Sequence, residues 1–421
     1  MEVKNNLKWL YLDFNSYFAT IEQQVNPALR NKPVAIVPSI TDYTCAIAAS
    51  YEAKKLGIKT GTMIYEAKKI CPKLICVQAD HEKYIYYHHK LIREINKYIP
   101  IEQVCSIDEV ACKLLGKECL PKTIVRKAIA IKKAIKRNVG DYISCSIGIS
   151  SNKFLAKTAS NLQKPNGLKI INKKKILKRI NHLKLSDLTG IGKRMESKLF
   201  LSGITSIQKL YDLSPKNMRK IWGNVLGERF WYMLRGKDIE DIHTQTRTIG
   251  HSHVLHPDWR TTQRSREVMR RLIVKAASRL RRKEFVCTNL KMSLKTITGK
   301  KMKATEKFQK LNDSFSLLEK ADYIWKKLIH DYRINKIIQI SVVLHGLHST
   351  KSVQTSLLEK LENKDQKNKR KKRSISQAID TINSRFGRDS VTIGSLPRNM
   401  LQFSGTKVAF TRIPEIKEFY E

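Results

Sequence analysis

The chain has 421 residues, 41% of them hydrophobic, and a formal charge of +44 from 81 Lys and Arg against 37 Asp and Glu. That length asks for two to four packed units, and that apolar content excludes a wholly disordered chain. So large a surplus of cations calls for a polyanionic partner, nucleic acid first among them. The eight cysteines form no C-x-x-C pair and sit mostly in apolar runs, so neither a disulfide framework nor a zinc site is expected. His251, His253 and His256 lack cysteine or carboxylate partners at ligand spacing and read as a strand end. No stretch reaches membrane-span length and the N-terminus carries no long apolar leader. A soluble, monomeric, intracellular protein without membrane contact is expected.

In chain order, LKWLYLDFN is a short apolar strand ending at Asp13, and SYFATIEQQVN continues with helical spacing. PVAIVP and CAIAAS are strand-like, and YEAKKLG starts a helix that Gly57 stops. TMIYEAKKIC and HEKYIYYHHKLIREINKYI predict two more helices. IEQVCSI and VACKLLG flank Asp108 and Glu109 as the arms of a β-hairpin or a bent strand. After the basic amphipathic helix TIVRKAIAIKKAIKRNVG, the strand YISCSIGIS passes through the N-cap types Ser151 and Asn152 into the helix KFLAKTASNLQ. Strands and helices thus alternate through about residue 170, an α/β pattern.

Residues 171–236 read as short helices with Gly-containing turns, LTGIGKRMESKLFLSGI being the clearest. Past a linker near IEDIHTQT, residues 247–346 read strand, helix, strand, strand, helix, strand, a split βαβ unit. Its first helix places Val268, Met269, Leu272, Ile273, Ala276 and Leu280 on one face and leaves Arg264, Arg266, Arg270, Arg271 and Arg281 for another. LENKDQKNKRKKRS is poor in apolar residues and predicts a mobile linker ahead of a short tail with recurring apolar positions, ISQAIDTINSRFG.

The acidic dipeptide inside the apolar run CSIDEVAC carries the chemistry, because unpaired buried carboxylates are costly. If the strand ending at Asp13 neighbours those around Asp108 and Glu109, three carboxylates converge at one sheet edge. Hard oxygen donors in that arrangement suit a pair of magnesium ions, which activate a hydroxyl and neutralise a triphosphate.

LYLDFNSYFATIEQ, AIAASYEAKKLGIKTG, CSIDEV and SIGISSNKFLAKTASNLQKPNG, in this order over residues 10–167, resemble the signature blocks of the Y-family translesion DNA polymerases. The resemblance implies an α/β multidomain right hand, its palm built on a mixed sheet at 1–16 and 80–170. Small fingers would follow at 17–79, a helix-hairpin-helix thumb at 171–240, a linker at 241–247 and an α+β little finger at 248–346. Residues 347–421 would form a basic linker and tail. It makes Asp13, Asp108, Glu109 and the Phe14 carbonyl ligands of two Mg2+ ions. Phe18 falls at the steric gate under the incoming sugar, with Tyr17 its packing neighbour, and Tyr51, Lys54 and Lys164 fall where the triphosphate is gripped. Lys54 stands where Arg is common, a point charge in place of a fork. Asn15 stands where many relatives carry Asp, and Lys113 stands near the place of another acidic residue.

The resemblance also implies primer-template DNA and deoxynucleoside triphosphates as partners, with low-fidelity copying of damaged template. Backbone at Gly190, Gly192 and Lys193, and side chains of Arg264, Arg270, Arg271 and Arg281, are the expected DNA contacts, joined by strands near Lys291 and Lys295. Gln354, Leu357 and Leu358 loosely match the pentapeptide with which bacterial polymerases dock on the sliding clamp. A bacterial, nucleoid-associated cytoplasmic location would follow. Two other readings are a non-catalytic DNA-binding subunit, against which the retained carboxylates argue, and a palm-type cyclase, for which the basic C-terminal half is superfluous.

Overall fold

The computed structural model describes residues 7–242, 245–350, 364–387 and 389–394, which divide into two units, one ending at Asp241 and one beginning at Ile242. The first unit is organised by the apolar strand β1 (Trp9–Phe14), whose residues from Leu10 onward are all buried. A strand so enclosed needs partners on both edges and cover on both faces. The elements that supply these follow in order: α1 (Tyr17–Val25), β2 (Val34–Val37), β3 (Ala48–Ala49), α2 (Tyr51–Lys55), α3 (Ile64–Ile70), β4 (Ile75–Gln78) and α4 (His81–Asn96). Next come β5 (Gln103–Ser106), β6 (Glu109–Lys113), α5 (Pro121–Asn138), β7 (Cys145–Ser150), α6 (Lys153–Asn161) and β8 (Leu168–Ile171). Helices α7 (Ile176–Ile180), α8 (Lys193–Leu201), α9 (Ile207–Asp212), α10 (Pro215–Trp222) and α11 (Val225–Leu234) complete the unit.

The main sheet has the order β5-β6-β1-β7-β8, with β1 antiparallel to both β6 and β7 and β7 parallel to β8. The hairpin expected around Asp108 and Glu109 is therefore present, and it lies beside β1. Helix α6 lies so close on β7 that a Cβ on Gly148 would sit 1.9 Å from the Ala156 carbonyl, which only glycine permits. That approach brings the lysines of α6 and of the loop after it over the sheet. A smaller sheet, β3-β2-β4, carries its own core of Ala35, Val37, Ala49, Ala53, Ile58 and Ile64. The helices from α7 to α11 share a separate apolar cluster around Leu199, Leu210, Met218 and Phe230.

The second unit contains β9 (Thr248–Val254), α12 (Thr262–Arg282), β10 (Phe285–Thr296), β11 (Lys301–Leu311), α13 (Ser314–Tyr332), β12 (Ile337–Ser349) and α14 (Lys364–Phe386). Its sheet runs β11-β10-β12-β9, all neighbours antiparallel. Leu290, Met292 and Leu294 of β10 enter a core with Met269, Ile273 and Leu280 of α12 and Leu317, Ile324 and Trp325 of α13. Side chains alternate across a strand, so the opposite face of β10 and β11 presents exposed Lys291, Lys295, Lys301, Lys303 and Lys307.

Two expectations change here. The segment read as a mobile linker is helical from Lys364, and its helix is fastened to the unit. Asp380 accepts a paired contact from Arg281 (2.6 and 2.8 Å), and buried Ser376 accepts the Ser314 amide at 3.1 Å. Low apolar content hid the helix, because polar contacts do the fastening. The arginines of α12 are committed inside the unit for the same reason. Arg266 and Arg270 pair with Asp322, Arg271 with Asp389 at 2.6 Å, and Arg264 donates to the Asp258 carbonyl at 2.7 Å. Arg270, Arg271 and Arg281 meet α13 and the C-terminal segment, where burial demands partners, while Arg264 and Arg266 stay exposed. Gln354, Leu357 and Leu358 lie outside the described residues. No helix among the described residues is long and apolar enough to cross a membrane.

Candidate active site

Antiparallel register makes Asp13 and Glu109 direct cross-strand partners, with Asp108 at the turn before β6. The Phe14 amide donates to the Asp108 carbonyl at 2.8 Å, tying the end of β1 to that turn. Asp13 is 7% exposed, and the three carboxyls repel one another across a poorly solvated edge. Burial, opposed by Lys164 and reinforced by the charges of Glu109 and Asp108, lifts the Asp13 pKa from 3.8 to about 6. Burial raises Asp108 as well, with a Ser106 hydrogen bond opposing and Glu109 adding. Glu109 goes the other way: burial pushes it up, but the Lys157 ammonium and the Tyr11 hydroxyl hold it below its ordinary value.

Each carboxylate has a protein donor on one named oxygen. Lys164 Nζ lies 2.6 Å from Asp13 Oδ2, and the Ser106 hydroxyl donates to Asp108 Oδ1 at 2.5 Å. Glu109 Oε2 receives both Lys157 Nζ, at 2.7 Å, and the Tyr11 hydroxyl, at 2.9 Å. Among the described residues no group of three or more His, Cys, Asp or Glu side chains is placed to hold a metal ion as it stands. The donor chemistry nevertheless suits a hard divalent cation: oxygens only, mutually repelling, and at present met by two ammonium groups and two hydroxyls.

Next to the carboxylates stand two lysines, Lys54 and Lys164. Lys54 of α2 donates to Ser16 Oγ at 2.7 Å and lies 4.9 Å from the centre of the Tyr51 ring. Its pKa is lowered by burial first and by the nearby Lys164 ammonium second. Two solvent-facing cations that repel each other favour an anion between them. Tyr51 is pushed up to about 12 by burial and the Asp13 charge, so its hydroxyl remains a donor at neutral pH. Ser16, between β1 and α1, has φ 47, a left-handed conformation costly for a residue with a Cβ. Asn15, buried at 1% exposure, accepts the Asn166 amide at 2.8 Å and donates to Ser146 Oγ at 3.0 Å. It thereby draws the loop bearing Lys164 towards Asp13.

Phe18 is buried on α1, its ring stacked on Tyr84 at 4.4 Å and 17°. Tyr17 donates to the Tyr84 carbonyl at 2.6 Å, and the Tyr84 hydroxyl donates to Glu22 at 2.8 Å. Gly190 has φ +94 and Gly192 is the N-cap of α8, with open space where its Cβ would stand. Exposed Lys193 opens that helix. Sequence reasoning missed Tyr11, Ser106 and Lys157. Tyr11 shares a sheet face with Asp13, two residues on, a period that would have flagged it. Lys157 gave no such sign, because only the close approach of α6 to β7 brings its ammonium to Glu109.

Residues 12–161 match the impB/mucB/samB family, residues 246–357 match that family's C-terminal domain, and residues 186–238 match the DNA polymerase-iota thumb domain. DNA polymerase IV of Moorella thermoacetica is 32% identical over 70% of this chain and 74% of its own length. The chain belongs to the Y family of DNA polymerases. DNA polymerase IV of Pelotomaculum thermopropionicum is 26% identical over 94% of this chain and 97% of its own. A solved Y-family DNA polymerase chimera superposes with a TM-score of 0.69 at 21% identity, covering 81% of this chain and 99% of its own, and shares the right-hand fold.

Proposed function

We propose that this polymerase extends a primer with deoxynucleotides across damaged as well as intact template. The observation that carries the reading is one sheet edge where Asp13 faces Glu109 directly, with Asp108 alongside and Lys54 and Lys164 adjoining. Asp13, Asp108, Glu109 and the Phe14 carbonyl would hold two Mg2+ ions. When bound, these ions supply a more acidic primer hydroxyl and charge neutralisation on the triphosphate. Lys54 and Lys164 offer ammonium groups to the phosphates, and the Tyr51 hydroxyl donates a hydrogen bond to them. Phe18, backed by Tyr84, would exclude a 2′-hydroxyl by lack of space.

The first unit would supply the palm (1–16 and 80–170), fingers (17–79) and thumb (171–240), and the second the little finger (248–346). Duplex contact is assigned to Gly190, Gly192 and Lys193 of the thumb and to the open lysine face of β10 and β11. On that face Lys295 lies opposite Lys301, a like-charge cross-strand pair that a phosphate backbone would relieve. Because Arg270, Arg271 and Arg281 already have internal carboxylate partners, the sheet replaces α12 as the proposed DNA surface. Docking of Gln354, Leu357 and Leu358 on a sliding clamp belongs to the proposal on sequence alone.

The test is primer extension by the purified full chain with Mg2+ and single deoxynucleotides, opposite normal and abasic template positions. Extension at both, abolished by Asp108→Ala, is expected. DNA binding without extension would favour the non-catalytic subunit.

A further inference from the structure

The turn that delivers Asp108 and Glu109 is closed by a single cross-strand pair, Ser106 with Glu109, beyond an irregular stretch of ladder. β5 and β6 slip register between Val104 and Ser106, and Ile107 falls between paired residues. Ile107 is 1% exposed, so its carbonyl needs a donor from elsewhere in the fold. That donor comes from the helix layer: His88 of α4, itself 2% exposed, places Nδ1 2.8 Å from the Ile107 oxygen. A carbonyl only accepts, so the hydrogen is on Nδ1 and the tautomer is fixed. Burial pushes the imidazole pKa down to about 4, which keeps the ring a neutral donor at physiological pH.

The remaining anchors of the turn act from the sheet and from α6. They include the Ser106–Glu109 pair, the Ser106 hydroxyl on the Asp108 carboxylate, the Phe14 amide on the Asp108 carbonyl, the pairing of Asp13 with Glu109, and Lys157 and Tyr11 on the Glu109 carboxylate. We propose that His88 is a positioning residue for nucleotidyl transfer: by donating to the Ile107 carbonyl it fixes the Ser106–Glu109 turn and hence the placement of Asp108 beside Asp13. His88 touches no substrate, and its effect passes through the backbone of one residue. The inference rests on the polymerase reading of the site. It goes beyond that reading by naming a residue outside the carboxylates on which their spacing depends.

The experiment compares the full chain with His88→Leu, His88→Asn and Leu91→Ala. The asparagine introduced by His88→Asn would carry an amide donor near the position of Nδ1. Leu91, fully buried on the same helix, provides a loss of packing with no bond to the turn. Four quantities are read: kcat, KM for the deoxynucleotide, the melting temperature, and Mn2+ binding by electron paramagnetic resonance. His88→Leu is expected to lower kcat by about 10–100-fold, the scale of a misplaced reacting group, with KM little changed and Mn2+ held more weakly. His88→Asn should recover most of both losses, and Leu91→Ala should lower the melting temperature while keeping kcat.

Parental kcat and Mn2+ binding in folded His88→Leu would overturn the proposal. So would a kcat loss in Leu91→Ala as large as that in His88→Leu, or a folded His88→Asn that rescues neither quantity. If His88→Leu does not fold, His88→Met, apolar and more adaptable, takes its place in the same comparison. Failure of the parent to extend primers would sink the polymerase reading, while the Mn2+ titration would still judge the role of His88.

Discussion

Asp13→Asn separates the electrostatic cost of the site from its use. In the folded chain burial leads, Lys164 opposes, and the charges of Glu109 and Asp108 add, raising the Asp13 pKa from 3.8 to about 6. The native state therefore binds this proton more tightly than the unfolded chain does, so ionisation costs stability. That cost is absent well below 3.8, grows between there and about 6, and is fully present above. A rise of that size corresponds to about 3 kcal/mol. Asparagine keeps the shape and removes the charge. The variant should thus be more stable than the parent at neutral pH, by up to about 3 kcal/mol or about 6–12 °C in melting temperature. The gap should close as the pH falls towards 3.8. Thermal unfolding followed by circular dichroism across this range, without divalent cations, makes the measurement. Equal or lower stability of the variant at neutral pH, or a gap indifferent to pH, would refute the reasoning.

Lys157→Met removes the strongest group holding Glu109 low, so the acid limb of the extension rate should move to higher pH; an unmoved limb would remove Lys157 from the site. Phe18→Ala should admit ribonucleotides, read as a fall in the ratio of kcat/KM for deoxy- over ribonucleotide, and an unchanged ratio would cancel the gate. Neutralising Lys291, Lys303 and Lys307 together should reduce the slope of log K against log salt by about 0.9 for each phosphate no longer neutralised. An unaltered slope would place duplex DNA elsewhere. Arg281→Ala strips Asp380 of its partner and should cost about 3 kcal/mol, with tryptic cleavage of α14 becoming faster. Parental resistance to trypsin would show the helix held by other groups.

Much of the candidate site's layout was legible because it follows from strand periodicity and neighbourhood. An apolar run ending at Asp13 and a hairpin around Asp108 and Glu109 fix which residues meet once the strands pair, and β1 does pair with β6. The split βαβ order of the second unit was equally readable from its periodic elements. What escaped depends on tertiary approach. Lys157 reaches Glu109 only because Gly148 lets α6 descend onto β7, and His88 meets the turn only through the packing of α4. The arginine-rich face of α12 looked like a phosphate grip because its partners, Asp322, Asp380 and Asp389, lie 52, 99 and 118 residues away in sequence. The first half of helix α14 escaped for the converse reason: residues 364–374 have little to bury, and ion pairs hold the helix.

Cation binding tests the joint action of the three carboxylates most directly. Mn2+ titration of the complex with primer-template and a deoxynucleoside triphosphate, followed by electron paramagnetic resonance, would compare the parent with Asp13→Ala, Asp108→Ala and Glu109→Ala. Two bound ions in the parent, and weakened or lost binding in every variant with DNA affinity retained, is the expected result. Parental ion binding in all three variants would contradict it and move the chemistry to another place on the molecule.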